Sequence, residues 1–516
     1  MKDYYDIVII GSGLGGLACA VMLAKEGKSV CVLEKNIQYG GNLQTFVRNR
    51  SIFDTGVHYL GGLSKGQNLY QYFKYLGIID ELELKKLEED GFDVISFGDD
   101  EKVYRHAQGY DNFIKVLLED FPEEEKGIRE YCDKLKDTCS QFPLYELRAG
   151  KPYYENNYLF ALNAKDYIDS VTENKRLRAV LSASNLLYAG DAERTPFYVH
   201  ALTVNSYIES SYRCVNGGSQ ITKLLIRRLR DHGGDAFNHK EVLHFEYEED
   251  KVSAAVTKDG TVVKGSTFIS NVDPKFTIMM AGKEHFRKSY AKRVLAIENT
   301  ISAFSLYVVL KPETYPYHNC NYYHSKKYER VWDTQSYTQE SWPESYMISM
   351  GVKKNMDEWG ENLTIMVYMN YDEVQQWEES FNTVAEKEER GEAYEKFKEE
   401  KSQVLLKEVC KKFPELENSI LAYYSSTPLS FRDYINCPRG GAYGYIKDVA
   451  NPLRSFISPR TKVPNLLLTG QCLNMHGILG VTIGAALTCS ELIGRDHLLK
   501  RILEANKEEH QNTPSS

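Results

Sequence analysis

The chain has 516 residues, 42% of them hydrophobic, and a formal net charge of −9. That length exceeds what one small core serves, so two domains, sequential or interleaved, are expected. The negative balance excludes a nucleic-acid footprint: basic pairs occur only in short clusters such as Arg227-Arg228, Lys326-Lys327 and Lys411-Lys412, which read as solvated surface.

In chain order, the first element is an apolar strand, Ile7-Val8-Ile9-Ile10, running directly into Gly11-Ser12-Gly13-Leu14-Gly15-Gly16. A helical stretch follows, then a second apolar strand, Ser29-Val30-Cys31-Val32-Leu33, ending on Glu34. Strand, glycine turn, helix, strand and acid together form the dinucleotide-binding fingerprint in its required context. Gly11 permits the tight turn, Gly13 lets the backbone approach a diphosphate, and Gly16 lets helix and strand pack closely. The helix N-terminus presents free N–H groups to the phosphates. Glu34 is expected to accept hydrogen bonds from both hydroxyls of an adenosine ribose, which disfavours a 2′-phosphate there.

Gly40-Gly41 comes next and reads either as an ordinary turn or as a second approach of backbone to the cofactor. Residues 68–87 have a helical pattern, 94–97 and 102–105 a strand pair, and 110–120 and 122–141 two amphipathic helices. Residues 145–212 are Tyr-rich and mostly helical in tone. From Asn216-Gly217-Gly218-Ser219 the texture returns to β-α-β: a helix over 220–232, a hairpin over 241–257, and strands at 261–263 and 267–270 before Asn271-Val272-Asp273-Pro274. Strands are expected at 304–310 and 363–370, and a charged, solvated amphipathic helix over 384–412. Residues 466–469 form a last strand, followed by Gly470-Gln471, a helix opening at Gly477-Ile478-Leu479-Gly480, and a disordered tail at 507–516.

The 10 cysteines show neither a CxxC pair nor zinc-ligand spacing, so reduced thiols and no metal site are expected. With a strand starting within ten residues of Met1, no leader is expected and the location is read as cytoplasmic. The uncharged run 464–490 is interrupted by Gln471, Asn474, His476 and four glycines, which argues against a membrane span. Peripheral membrane contact stays open, with residues 145–167 as its candidate surface and an aromatic cap over the core as the plainer reading.

The series GSGLGGL, LEK, GG, FDTGVHYLGG, GG, SNVDP, LLLTGQ and GILG resembles the flavin amine-oxidase and phytoene-desaturase superfamily, and within it the carotenoid isomerase and retinol saturase branch. The resemblance implies an α/β fold: a Rossmann-like FAD-binding domain of the two-dinucleotide-binding-domain type, with an inserted α+β substrate domain. The FAD-binding parts would be residues 1–75, 214–280 and 431–506, and the substrate parts 76–213 and 281–430. It implies FAD as cofactor, with Gly11, Ser12, Gly13, Gly15 and Gly16 at the diphosphate, Glu34 and Lys35 at the ribose, and Val242 at the adenine. Gly40, Gly41 and Asn42 would approach the cofactor from the second turn, and Gly470, Gln471, Gly480 and Val481 would lie near the flavin. Two departures stand out. Tyr39 replaces an Arg often found before the Gly-Gly pair, and Gln471 an acid often found after the late glycine.

The implied chemistry is reduction, desaturation or isomerisation of a carbon–carbon double bond in a lipophilic polyene or isoprenoid. Between these the residues do not choose, and the oligomeric state is open. His58, Tyr59 and His476 are the candidate proton-transfer groups, each with a structural hydrogen-bonding role as its alternative. Tyr443 and His200 read as packing residues. Two alternatives remain: an amine oxidase, and a non-catalytic binder of prenylated proteins like the GDP-dissociation inhibitors. The intact glycine set and Glu34 speak against the second.

Overall fold

A computed structural model describes residues 1–149, 157–354 and 358–507. The first strand, β1 (Tyr5–Ile10), carries the apolar run Ile7–Ile10 because the sheet around it is covered on both faces. It pairs in parallel with β2 (Val30–Leu33) on one side and with the strand Val262–Ser270 on the other. Asp235–Phe237 adds to β2, and Leu466–Leu468 adds to Val262–Ser270, both in parallel. The antiparallel pair Val242–Glu248 and Lys251–Thr257 completes this seven-stranded sheet.

Between β1 and β2 runs α1 (Leu14–Lys25), apolar on every side and buried from Leu14 to Ala24. A helix with no polar face belongs inside a layer. It packs against Ser219–Asp231 and Gly477–Ile493. Contact with the latter is close: Cys19 Sγ lies 3.6 Å from the Ala485 carbonyl.

The second sheet also has seven strands, in the order Ile420–Ser426, Ser302–Leu310, Asn362–Met369, Ser345–Met350, Asn321–Ser325, Asp93–Phe97 and Val103–His106. Every residue of Ser302–Leu310, Ser345–Met350 and Asn362–Met369 is buried, so both faces are covered. Helices 110–120, 125–140, 164–171, 175–182 and 197–209 form a third, helical region beside it.

Several elements differ from their sequence reading. The helix expected over 68–87 stops at Leu76, because Gly77 (φ +76°) closes it: Gly77 N–H donates to Lys74 O and Ile78 N–H to Phe73 O. The strands expected at 261–263 and 267–270 are one strand, and Gly265 is the reason. A Cβ there would lie 2.8 Å from Val8 Cγ2, so the glycine marks close approach to β1, not a break. The helix expected from 384 begins at Glu392, after Gly391. Residues 495–507 form a further helix that the sequence reading missed, and residues 508–516 of the expected tail lie outside the described residues.

Among the described residues no helix is long and apolar enough to cross a membrane. The uncharged run 464–490 is instead a three-residue strand, a loop and most of the helix Gly477–Ile493. Of the candidate membrane surface, residues 150–156 lie outside the described residues. Tyr145 is buried and donates to the Leu202 carbonyl.

Candidate active site

The C-terminal ends of β1, β2, Val262–Ser270 and Leu466–Leu468 open onto one cleft of about 290 Å³. This is where an open α/β sheet binds its ligand. Gly11, Gly13 and Gly15 line it, with Glu34, Lys35, Gly40, Gly41, Asn42, Val242, Gly470, Gln471 and Val481. Fragments more than 400 positions apart in the chain thus share one wall. No side chain caps the N-terminus of α1, where Gly13 is the N-cap, so its first N–H groups are left for an anion.

Ser12, Gly16 and Gly480 are placed differently. Ser12 is fully buried and turned away from the cleft. Its N–H and Oγ–H both donate to Glu34 Oε2, at 3.0 and 2.5 Å, and its Oγ accepts from Gly40 N–H. Gly16 serves packing: a Cβ there would lie 2.2 Å from the Gly11 carbonyl oxygen. Gly480 lines the neighbouring apolar cavity.

Glu34 is correspondingly less free than expected. Asn36 N–H occupies Oε1 at 2.8 Å. A carboxylate offers about four acceptor positions. With three already filled, Glu34 has room for one ribose hydroxyl instead of two.

Beyond Glu34, the cleft is closed by the π-helical turn Phe431–Ile435. Lys35 Nζ donates to the Asp433 carbonyl at 3.0 Å, and Asn36 Nδ2 to the Tyr434 carbonyl at 2.8 Å. The turn is held by the fully buried Asp433 carboxylate, which takes Arg432 Nε at 2.7 Å and Arg390 on its other oxygen. Tyr39, at the Arg-to-Tyr departure, donates its hydroxyl to the Ala236 carbonyl and so ties the glycine turn to the sheet. Gln471 Oε1 sits 3.4 Å from Asn42 Nδ2, joining the early and late parts of the cleft.

A second, larger cavity of about 800 Å³ adjoins the first. Much of its wall is apolar, with Leu60, Leu69, Phe142, Phe160, Leu202 and Ile483 among the lining residues. Tyr59, Leu187, Tyr207, His476, Gly477 and Ile478 line both spaces and form the boundary between them. Two of the three proton-transfer candidates therefore stand at that boundary. His58 lines only the dinucleotide cleft and a small polar space behind it.

The three candidates differ in chemistry. Burial drives both His58 and His476 down to about 4, so both imidazoles are neutral near pH 7. His476 precedes the helix Gly477–Ile493, and its Nε2 lies 3.0 Å from the Leu187 carbonyl. A donated N–H there tethers the boundary wall. His58 Nδ1 lies 3.4 Å from Ser349 Oγ.

Tyr59 is built into a network. Its hydroxyl donates to Asp93 Oδ2 at 3.1 Å and lies 2.8 Å from the Tyr323 hydroxyl, while its ring packs 4.3 Å from Tyr207. Behind it, Asn321 Nδ2 donates to Asp93 Oδ1 at 2.8 Å, and Arg213 donates to Asn321 Oδ1 at 2.7 Å. Burial pushes Asp93 up to about 7, against the hydrogen bonds of Asn321 and Tyr59 and the charge of Arg213. Burial raises the Tyr59 phenol well above its usual value, so it stays protonated.

Tyr443 lines the cleft and donates to the Leu186 carbonyl, with its ring 4.9 Å from His476. His200 lies outside both cavities. It is fully buried between the Tyr131 and Tyr188 hydroxyls, as a packing role requires.

Asp93, Tyr323, Asn321 and Arg213 escaped the sequence reading. They are single polar residues in strands that pair only after distant segments meet, and no local spacing marks them. Asn271 is different, because it lies in the quoted SNVDP segment. Its side chain fills the space between the early and late glycines, and Cβ atoms at Gly15 and Gly470 would fall 2.6 and 2.8 Å from its Oδ1.

Comparison with known proteins agrees with this geometry. A family model described as an NAD(P)-binding Rossmann-like domain matches residues 9–76. The chain is 27% identical to an all-trans-retinol 13,14-reductase of Danio rerio, over 95% of this chain and 86% of that protein. It is also 27% identical to a chloroplastic prolycopene isomerase of an Oncidium hybrid cultivar, over 61% of this chain and 57% of that one. Among solved structures, a putrescine oxidase bound to putrescine superposes with a TM-score of 0.64 at 15% identity, covering 97% of this chain and 99% of its own. The resemblance carried by the glycine motifs thus runs through nearly the whole chain: by sequence it is similar to the retinol reductase and, over part of its length, to the prolycopene isomerase, and its fold is shared with the putrescine oxidase.

Proposed function

We propose that the protein is a FAD-dependent oxidoreductase that reduces a carbon–carbon double bond in a lipophilic polyene or isoprenoid. The observation that carries this reading is the boundary shared by the two cavities: a dinucleotide cleft on one side and a large, mostly apolar space on the other. The most extensive sequence likeness quoted above is to retinol reductases, which supports reduction ahead of isomerisation.

The residues present fit the cofactor. The uncapped start of α1 supports a diphosphate at Gly11, Gly13 and Gly15, with Glu34 and Lys35 toward the ribose and Val242 toward the adenine. Gly470 (φ +107°), Gln471 and Val481 would border the redox ring, and the side-chain-free N-terminus of the helix Gly477–Ile493 favours negative charge there. FAD bound there, once reduced by an external two-electron donor, would supply the hydride; the protein supplies orientation, exclusion of water and a proton.

In this reading Tyr59 is the proton donor. It stands at the boundary, remains protonated at neutral pH, and can be resupplied from Asp93 while that carboxyl holds its proton. Reduction then adds one hydride and one proton across the double bond, and the Tyr59 oxygen recovers its proton from Asp93. Neutral His476 and His58 are unsuited to deliver a proton near pH 7.

Photoreducing the flavin without oxygen and adding retinoids, carotenoids or amines in turn tests the proposal. Reoxidation by a polyene with loss of one double bond is the expected result. A shift in double-bond geometry without reoxidation would assign isomerisation. Reduction of the oxidised flavin by an amine, with peroxide released on each turnover in air, would replace the proposal with an amine oxidase.

A further inference from the structure

The large cavity carries a lysine that the mechanism does not use. Lys447 lies on its lining, and its Nζ donates to the Leu473 carbonyl at 3.0 Å and to the Ser455 carbonyl at 3.3 Å. An ammonium has three N–H donors, so one is left uncommitted. Two neutral carbonyls position the group without cancelling its charge. Among the described residues no carboxylate forms an ion pair with it, and the acidic side chains on the same lining have other partners. Glu491 pairs with Arg460, and Asp496 lies 3.8 Å from Arg495.

Burial is strong enough to push Lys447 down to about 8, which still leaves most of it charged near pH 7. A half-buried cation without a counter-charge is destabilised, and a ligand that brings the opposite charge relieves that. The hydrogen bond of Lys447 to Leu473, three residues before His476, places it toward the boundary end of the cavity.

We propose that Lys447 is the recognition group for an anionic head, and that the ligand of this cavity is an unsaturated lipid acid whose carboxylate meets the free N–H of Lys447 while its chain lies along the apolar wall. The assignment rests on the reading of this cavity as the substrate site. It narrows that reading from lipophilic molecules in general to amphipathic acids, since a neutral hydrocarbon, alcohol or ester leaves the lysine without a counter-charge.

The test compares acids with their neutral counterparts on the full-length, nucleotide-loaded protein, by calorimetry and without turnover. The probes are all-trans-retinoic acid against all-trans-retinol and methyl retinoate, and arachidonic acid against its methyl ester. The wild type is expected to bind each acid at least about tenfold more tightly than its ester, the scale of one charged hydrogen bond. Lys447→Met should abolish that preference by weakening the acids alone, and Lys447→Arg should keep most of it.

Equal binding of acid and ester by the wild type overturns the assignment, and this comparison does not depend on any variant folding. A preference that survives in Lys447→Met overturns it too. If neither acids nor neutral polyenes bind, the reading of the cavity as a substrate site fails and the assignment fails with it. Binding of the neutral polyenes alone leaves that reading intact and removes only the role of Lys447.

Discussion

The two cavities are built in opposite ways. Much of the dinucleotide cleft is main chain: glycines 11, 13 and 15 on one segment, 40 and 41 on another, 470 on a third, each placed by its neighbours in sequence. The apolar cavity and the Tyr59 network are side chain, drawn from the second sheet, the helical region and the loop around Lys447. A backbone cradle tolerates little substitution because even a methyl group meets fixed atoms. A side-chain wall can be altered one residue at a time, and the consequences are specific to chemistry. Substitutions in the cleft should therefore change cofactor retention and stability together, whereas those at the boundary should change turnover alone.

The largest expected effect is at the boundary. Tyr59→Phe keeps the ring against Tyr207 and removes the hydroxyl, so it should lower the rate of flavin reoxidation by substrate about 10²- to 10⁴-fold, the usual contribution of a positioned acid. Flavin content, read from the absorbance of the purified protein, should stay at the wild-type level. Parallel loss of flavin would erase the distinction between the two cavities.

Asp93 sharpens the same side through pH. Its carboxyl is raised from an ordinary 3.8 to about 7, so the folded protein holds a proton that the unfolded chain releases. Stability from this group is fully present below about 4 and declines as pH rises to about 7, by up to a few kcal/mol. Asp54, buried and also raised to about 7, acts in the same direction. Asp93→Asn should flatten the fall in denaturation midpoint across that window. It should also remove a loss of turnover centred near pH 7. A turnover profile unchanged in the variant would remove Asp93 from the proton path.

In the cleft, Gly16→Ala brings a Cβ within 2.2 Å of the Gly11 carbonyl oxygen, and neither backbone can yield easily. A destabilisation of about 2–3 kcal/mol is expected in chemical denaturation, accompanied by flavin loss. Ser12→Ala is smaller. It removes one hydrogen bond to Glu34 and the acceptor for Gly40 N–H, at a cost of about 1–2 kcal/mol and with weaker flavin retention. The smallest effect belongs to His476→Gln, which can keep a donor toward the Leu187 carbonyl. Turnover should change less than about tenfold, and a loss as large as that of Tyr59→Phe would reassign the proton donor.

The glycine segments, the paired strands around them and the join between early and late parts of the cleft were legible in the sequence. Each depends on contacts within a few residues or on a motif whose spacing carries its own geometry. The errors came at glycines: Gly77 ended a helix that the apolar pattern continued, and Gly265 sits inside a single strand where two were expected. Glu34 was identified from position, but its prior engagement by Ser12 and Asn36 needed the turn in three dimensions. Asp93 and Lys447 had no signal, because an isolated acid in a strand and an isolated lysine in a loop have the same local pattern whether solvated or buried.

By itself, then, the sequence determined where the glycine cradle of the cleft lies, because positive backbone angles and missing Cβ atoms are local properties that glycine spacing encodes. Only the tertiary structure decided which polar side chains lose water at the boundary and beside it. Desolvation is a property of everything packed around a group, and for Tyr59 and Asp93 those neighbours come from segments tens to hundreds of residues away.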